Sequence, residues 1–164
     1  MSAEIHQQLK DWFSNATRVV IAGVGNPIRN DDFIGTKIVQ HLQNKVSDNV
    51  CLIECETVPE NYLLEIEEFK PSHILLIDAA MLDIAPGKTL LVFPEQMPDG
   101  GSTFNTHILP LQMFSYYIQK FVGSKFALLL IQPKNVELGE TVTFELTKTA
   151  EKIENILTEL LSQF

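Results

Sequence analysis

Two rhythms of apolar and polar positions divide the chain. Five short stretches are apolar almost throughout: Val19-Val20-Ile21-Ala22-Gly23, Val50-Cys51-Leu52-Ile53, Ile74-Leu75-Leu76-Ile77, Thr89-Leu90-Leu91-Val92-Phe93 and Phe126-Ala127-Leu128-Leu129-Leu130-Ile131. Runs of this length, rich in β-branched residues and bounded by turn formers, read as strands, the first as a buried one and the third, apolar throughout, as one covered on both faces. Between them, apolar residues recur at helical spacing: Ile5, Leu9, Trp12 and Phe13; Ile34, Ile38, Val39 and Leu42; Tyr62, Leu63, Ile66 and Phe69; Leu111, Phe114, Ile118 and Phe121; Leu146, Ala150, Ile153, Leu157, Leu160 and Leu161. Each set places a stripe on one side of a helix. The second helix is expected over about Asp32–Asn44, Pro71 closes the third, and Gly123 closes the fourth.

Alternation of strand and helix predicts an α/β protein, a three-layer α/β/α sandwich on a five-stranded, mostly parallel sheet. The link Ala85-Pro86-Gly87 is too short for a helical crossover, so the strand at about 88–93 should run antiparallel. With 164 residues and neither repeats nor low-complexity tracts, one domain spanning 1–164 is expected. A chain of that size buries roughly two-thirds of its unfolded surface.

Composition narrows the partners. Hydrophobic residues at 45% and charged residues at 20% are ordinary for a globular chain, and a net charge of −9 disfavours nucleic acid and anionic membrane surfaces. No signal-like segment opens the chain and no apolar run approaches ~18 residues, so a cytoplasmic protein without membrane insertion is expected, as a monomer. Cys51 and Cys55 are spaced C-x3-C, which fits neither a redox pair nor a zinc knuckle; buried reduced thiols are the simpler reading.

The stretch with the most chemistry follows the first strand. Gly23-Val24-Gly25-Asn26-Pro27-Ile28-Arg29-Asn30-Asp31-Asp32 turns a buried strand into a helix at the carboxyl edge of the sheet, where open α/β sheets bind ligands. A dinucleotide fingerprint would need glycine where Ile28 stands; Pro27 removes a backbone donor, and two acids would repel a pyrophosphate. Serine-elbow, HExxH and catalytic-thiol signatures are absent. Three residues from three separate loops remain: Asp32; Asp78, where the third strand stops; and His107, which follows the polar stretch Pro94–Asn105. Two carboxylates and an imidazole suit a borderline divalent ion and leave coordination positions open. Asp31 reads more simply as a helix cap.

Five motifs in order carry a resemblance. Gly23-Val24-Gly25-Asn26 with Asp31-Asp32-Phe33-Ile34-Gly35, then Glu56-Thr57-Val58-Pro59-Glu60-Asn61, Leu76-Ile77-Asp78-Ala79-Ala80 with Pro86-Gly87, Ser102 to Pro110 around Thr106-His107, and Ile131-Gln132-Pro133 together resemble the [NiFe]-hydrogenase maturation proteases. The branch that processes hydrogenase 3 is the most similar. The resemblance implies a cytoplasmic endopeptidase that removes a C-terminal extension from the hydrogenase large-subunit precursor after nickel insertion. The family's metal positions fall on Asp32, Asp78 and His107, with Asp32 and Asp78 the catalytic pair of an aspartic-type enzyme. Nickel is the implied metal, either held by the enzyme to supply hydroxide or brought by the precursor as its recognition element. A non-proteolytic nickel chaperone or binding module for the same precursor would use the same three residues.

Overall fold

Five apolar segments pair into one sheet between two helical layers; Val19–Gly23, His73–Ala79 and Lys125–Ile131 bury both faces almost throughout, and the two edge segments do so only in part. The computed structural model describes residues 2–96, 108–162 and 164. The strands are β1 (Val19–Gly23), β2 (Val50–Glu54), β3 (His73–Ala79), β4 (Thr89–Val92) and β5 (Lys125–Ile131). Their order is β2-β1-β3-β5-β4. All neighbours are parallel except β4 and β5, which are antiparallel with Thr89 opposite Ile131. This is the α/β architecture expected, including the reversed strand.

The helices are α1 (Ser2–Trp12), α2 (Ile34–Leu42), α3 (Leu63–Phe69), α4 (Ile108–Tyr117) and α5 (Phe144–Leu161). One face of the sheet, carrying Ile21, Leu75, Ile77 and Leu129, packs against Ile5, Leu9, Ile38 and Leu157 from α1, α2 and α5. The other face, with Val20, Ala22, Leu76 and Leu128, packs against Ile66 of α3 and Phe114 of α4. No helix among the described residues is long and apolar enough to cross a membrane.

Three local expectations change. α2 begins at Ile34, after a 3-10 turn over Asn30–Phe33, and the residue in its capping position, Phe33, makes no side-chain cap bond. β3 does not stop at Asp78 but runs to Ala79, because β5 goes on pairing there, with Asp78 opposite Leu130 and Ala79 opposite Ile131. Phe121 leaves the buried stripe and is 60% exposed, since a π-turn over Ile118–Val122 widens the last helical turn and shifts its register. That turn does end at Gly123, in the left-handed region with φ 77°.

Candidate active site

β1 and β3 are neighbours, yet the chain leaves β1 toward β2 on one side, while β3 pairs on its other side with β5. The sheet's direction of winding therefore reverses between them, and the crevice beyond their carboxyl ends is where such sheets hold ligands. The β1 side of the pairing ends at Gly23 opposite Ile77, with Val24 N–H donating to the Ile77 carbonyl at 2.9 Å. The β5 side continues for two residues more. Asp78 thus lies where the sheet is paired on one edge and open on the other.

Glycines bring the second carboxylate to this point. A methyl on Gly35 would overlap the carbonyl oxygens of Ile77 and Val24, and one on Gly23 would overlap the Gly35 carbonyl. At Gly25 an added Cβ would stand 2.9 Å from the Asp32 carbonyl and 2.9 Å from Thr36 Oγ1. The start of α2 therefore rests on bare backbone at the ends of β1 and β3, and Asp32, in the turn that feeds it, is held near Asp78.

Asp78 is 1% exposed, and among the described residues neither of its carboxylate oxygens has a hydrogen-bond partner. Burial pushes its carboxyl well above the ordinary 3.8, the negative charge of Asp32 pushes it further, and the nearby Ala79 amide offsets only part of this without making a hydrogen bond to it. Asp32 is half-buried. Buried polar atoms are nearly always paired, so unpaired ones need a reason. Thr36 Oγ1, beside Gly25, and Glu60 Oε2 are also buried and have no partner among the described residues. Glu60 and Asp78 both act on Cys55, whose thiol is pushed up to about 12 by burial first and then by Glu65, Glu60 and Asp78. Cys55 is buried, Cys51 half-buried, and both are free thiols; a thiol as hard to ionise as Cys55 is inert as a nucleophile.

Asp31 plays a part that its sequence position does not suggest. It is fully buried, and its carboxylate accepts four hydrogen bonds from the segment after β5: Lys134 N–H at 2.9 Å, Asn135 N–H at 2.9 Å, and Thr143 N–H and Oγ1–H at 2.7 and 2.9 Å. Asn30, with φ 47°, accepts from Thr141 N–H at 3.0 Å and donates to the Glu137 carbonyl at 3.0 Å. Arg29 Nε–H reaches the Val136 carbonyl at 3.0 Å. Asp31 is a clamp between two loops rather than a cap on α2. The sequence signal for this clamp is faint: the turn around Gly139, where an added Cβ would meet the Asn30 side chain, is its only trace.

The structure thus brings Asp32 and Asp78 together. His107 lies outside the described residues, as does most of the preceding polar stretch. Among the described residues no group of three or more histidine, cysteine, aspartate or glutamate side chains converges. Two carboxylates, one of them desolvated and unpartnered, suit a divalent cation, which would relieve the repulsion between them.

The family model described as "Hydrogenase maturation protease" matches residues 36–163. The chain belongs to the hydrogenase maturation protease family. A relative from Methanocaldococcus jannaschii, named for the same family, is 30% identical over 96% of each chain. The hydrogenase 3 maturation protease of Escherichia coli K12 is 26% identical over 70% of this chain and 72% of its own. Among solved structures, the [NiFe] hydrogenase maturation protease HycI from Thermococcus kodakarensis superposes with a TM-score of 0.87 at 32% identity, covering 94% of this chain and 98% of its own. This maturation protease is accordingly a peptide hydrolase that processes a hydrogenase precursor. The family match contains Asp78 and Gly87 but begins after the Gly23–Asp32 loop.

Proposed function

We propose that this protease removes the C-terminal extension of a [NiFe]-hydrogenase large-subunit precursor after nickel insertion, and that the precursor's own nickel is what it recognises. The observation that carries the reading is the Asp78 carboxylate, buried beside Asp32 at the switch point of the sheet with no hydrogen-bond partner among the described residues. A pair of like-charged groups left in this state is poised for a cation that arrives with the substrate. Asp32, Asp78 and His107 would grip the nickel that the precursor carries and so bring the neighbouring peptide bond to the crevice.

In that arrangement the protein's own groups do the proton work. Hydrolysis joins a water oxygen to the scissile carbonyl carbon, breaks the C–N bond and delivers a proton to the departing amine. Asp32, which is half-buried, would take the water proton on the carboxylate oxygen not turned to the cation and return it to the nitrogen. Asp31 is not available for this, because both of its oxygens are committed to the 134–143 segment. Asp78 gives up any proton it holds when the cation arrives.

Purified protease incubated with nickel-loaded and with nickel-free precursor tests the reading. A shortened large subunit should form from the loaded precursor alone. Equal cleavage of both would overturn nickel recognition and leave proteolysis standing. Failure to cleave the loaded form would overturn the C-terminal processing itself.

A further inference from the structure

A second site lies on the opposite face of the sheet from Asp78. Between the N-terminal half of α1, the chain from Pro86 through β4, and one side of α5 there is a cavity of about 340 Å³. Its walls hold three of the twelve lysines and arginines of a chain whose net charge is −9: Lys88, Lys148 and Lys152. Lys148 is tied to Glu151 at 3.1 Å and lies over the Phe144 ring. Lys88 and Lys152 have no ion-pair partner among the described residues, and Glu4 is the one carboxylate in the lining. Lys152 is partly withdrawn from water and faces the charge of Lys88, both of which lower its affinity for a proton. Two ammonium groups lining one cleft, with a single carboxylate and no ion pair to either among the described residues, are unfavourable alone and complementary to an anion.

The cleft is also bounded by an open strand. β4 is the last strand of the sheet, so among the described residues its outer edge pairs with nothing, and Leu90 on it is 40% exposed. A lysine beside such an edge can serve simply to deter pairing. That accounts for Lys88 but not for Lys152, which stands across the cavity on α5. An edge that offers backbone hydrogen bonds, next to paired cations, matches an extended chain with acidic side chains better than a lone small anion.

We propose that this cleft binds an extended acidic peptide segment of a protein partner, whose backbone adds to the outer edge of β4 while its carboxylates reach Lys88 and Lys152. The proposal is independent of the chemistry at Asp78. Three observations on the intact protein test it without using proteolysis. A fluorescein-labelled peptide of alternating glutamate and valine should bind by anisotropy with an affinity that weakens as salt rises. Lys88→Gln/Lys152→Gln should weaken it at least about tenfold, while Lys10→Gln/Lys37→Gln, elsewhere on the surface, should leave it unchanged. Hydrogen exchange should show new protection of the β4 amides when peptide is added. Equal binding by both double variants, or no protection of β4, overturns the proposal. Displacement of the peptide by an equal concentration of inorganic phosphate also overturns it, in favour of a small-anion site. Lys10 and Lys88 are exposed, Lys37 and Lys152 half-buried, and none belongs to either core cluster, so unchanged far-UV spectra are expected alongside.

Discussion

Adjacent aspartates in this chain do opposite work, and substitution separates them. Asn at position 31 presents an amide NH2 to backbone donors whichever way it is turned, and three of the four donors converge on one oxygen. Asp31→Asn should therefore cost about 3 kcal/mol in urea unfolding, the expense of a buried charged acceptor lost. Asp32→Asn should stay within about 1 kcal/mol of wild type while processing falls by orders of magnitude, since the charge facing a cation is gone. If Asp32→Asn processed precursor at the wild-type rate, the carboxylate pair would not be the centre of the site. Asp78 adds a pH signature. Its native pKa lies above 3.8, so above that pH the folded protein holds a proton that the unfolded chain has released, and stability falls as pH rises through the window. Asp78→Asn lacks this slope. Measured in chelator, its stability relative to wild type should climb with pH by about 1.4 kcal/mol for each unit by which the native pKa exceeds 3.8. A pH-independent difference would mean that the carboxyl is not desolvated. The positions of Asp32 and Asp78 were legible in the sequence because each follows or ends an apolar run at the same sheet edge. The role of Asp31 was not, because all four of its partners lie more than a hundred positions away.

Strands and helices followed from periodicity because burial on both faces is a strong constraint, and the antiparallel β4 followed from the length of one turn. The 3-10 turn before α2 and the π-turn after α4 did not, since they depend on how a helix end meets its neighbours rather than on any pattern within it. The contact between α2 and the sheet can be tested at a single atom. Gly35→Ala puts a methyl into the Ile77 and Val24 carbonyls, and backbone cannot step aside as a side chain would. The helix start must lift, at a cost of at least about 2 kcal/mol, and Asp32 lifts with it. Processing of nickel-loaded precursor should slow even under conditions where Gly35→Ala is fully folded. Gly123→Ala is the control: among the described residues nothing lies within 4 Å of an added Cβ there, so it should cost only the left-handed backbone strain, about 1 kcal/mol, and leave processing unchanged.

The two edges of the sheet carry different burdens, and this governs how the molecule responds to acid. The carboxyl edge holds Asp78 in a state suited to a ligand rather than to stability. At the amino edge, His73 opens β3, is 1% exposed, and packs its ring edge-on against Trp12 with centroids 5.0 Å apart. Its Nδ1 meets Ser72 Oγ at 2.9 Å while Nε2 has no partner among the described residues. Burial lowers its pKa below the ordinary 6.5, the charge of Lys125 lowers it further, and a backbone contact with Trp12 offsets part of this. The sign is the reverse of that for Asp78. As pH falls below 6.5 the unfolded chain takes up a proton before the folded one does, so stability present above 6.5 is lost toward the native pKa. His73→Gln, which cannot be protonated there, should flatten this acid limb and leave the Asp78 slope intact. Five residue steps along the strand separate the two positions, roughly 16 Å, far enough that their effects should add within about 0.5 kcal/mol in the double variant with Asp78→Asn. Urea unfolding of the four proteins across the acid-to-neutral range measures both limbs at once. A coupling well beyond that margin would show that the ends of the sheet communicate, and that the desolvation of Asp78 depends on packing at the far edge.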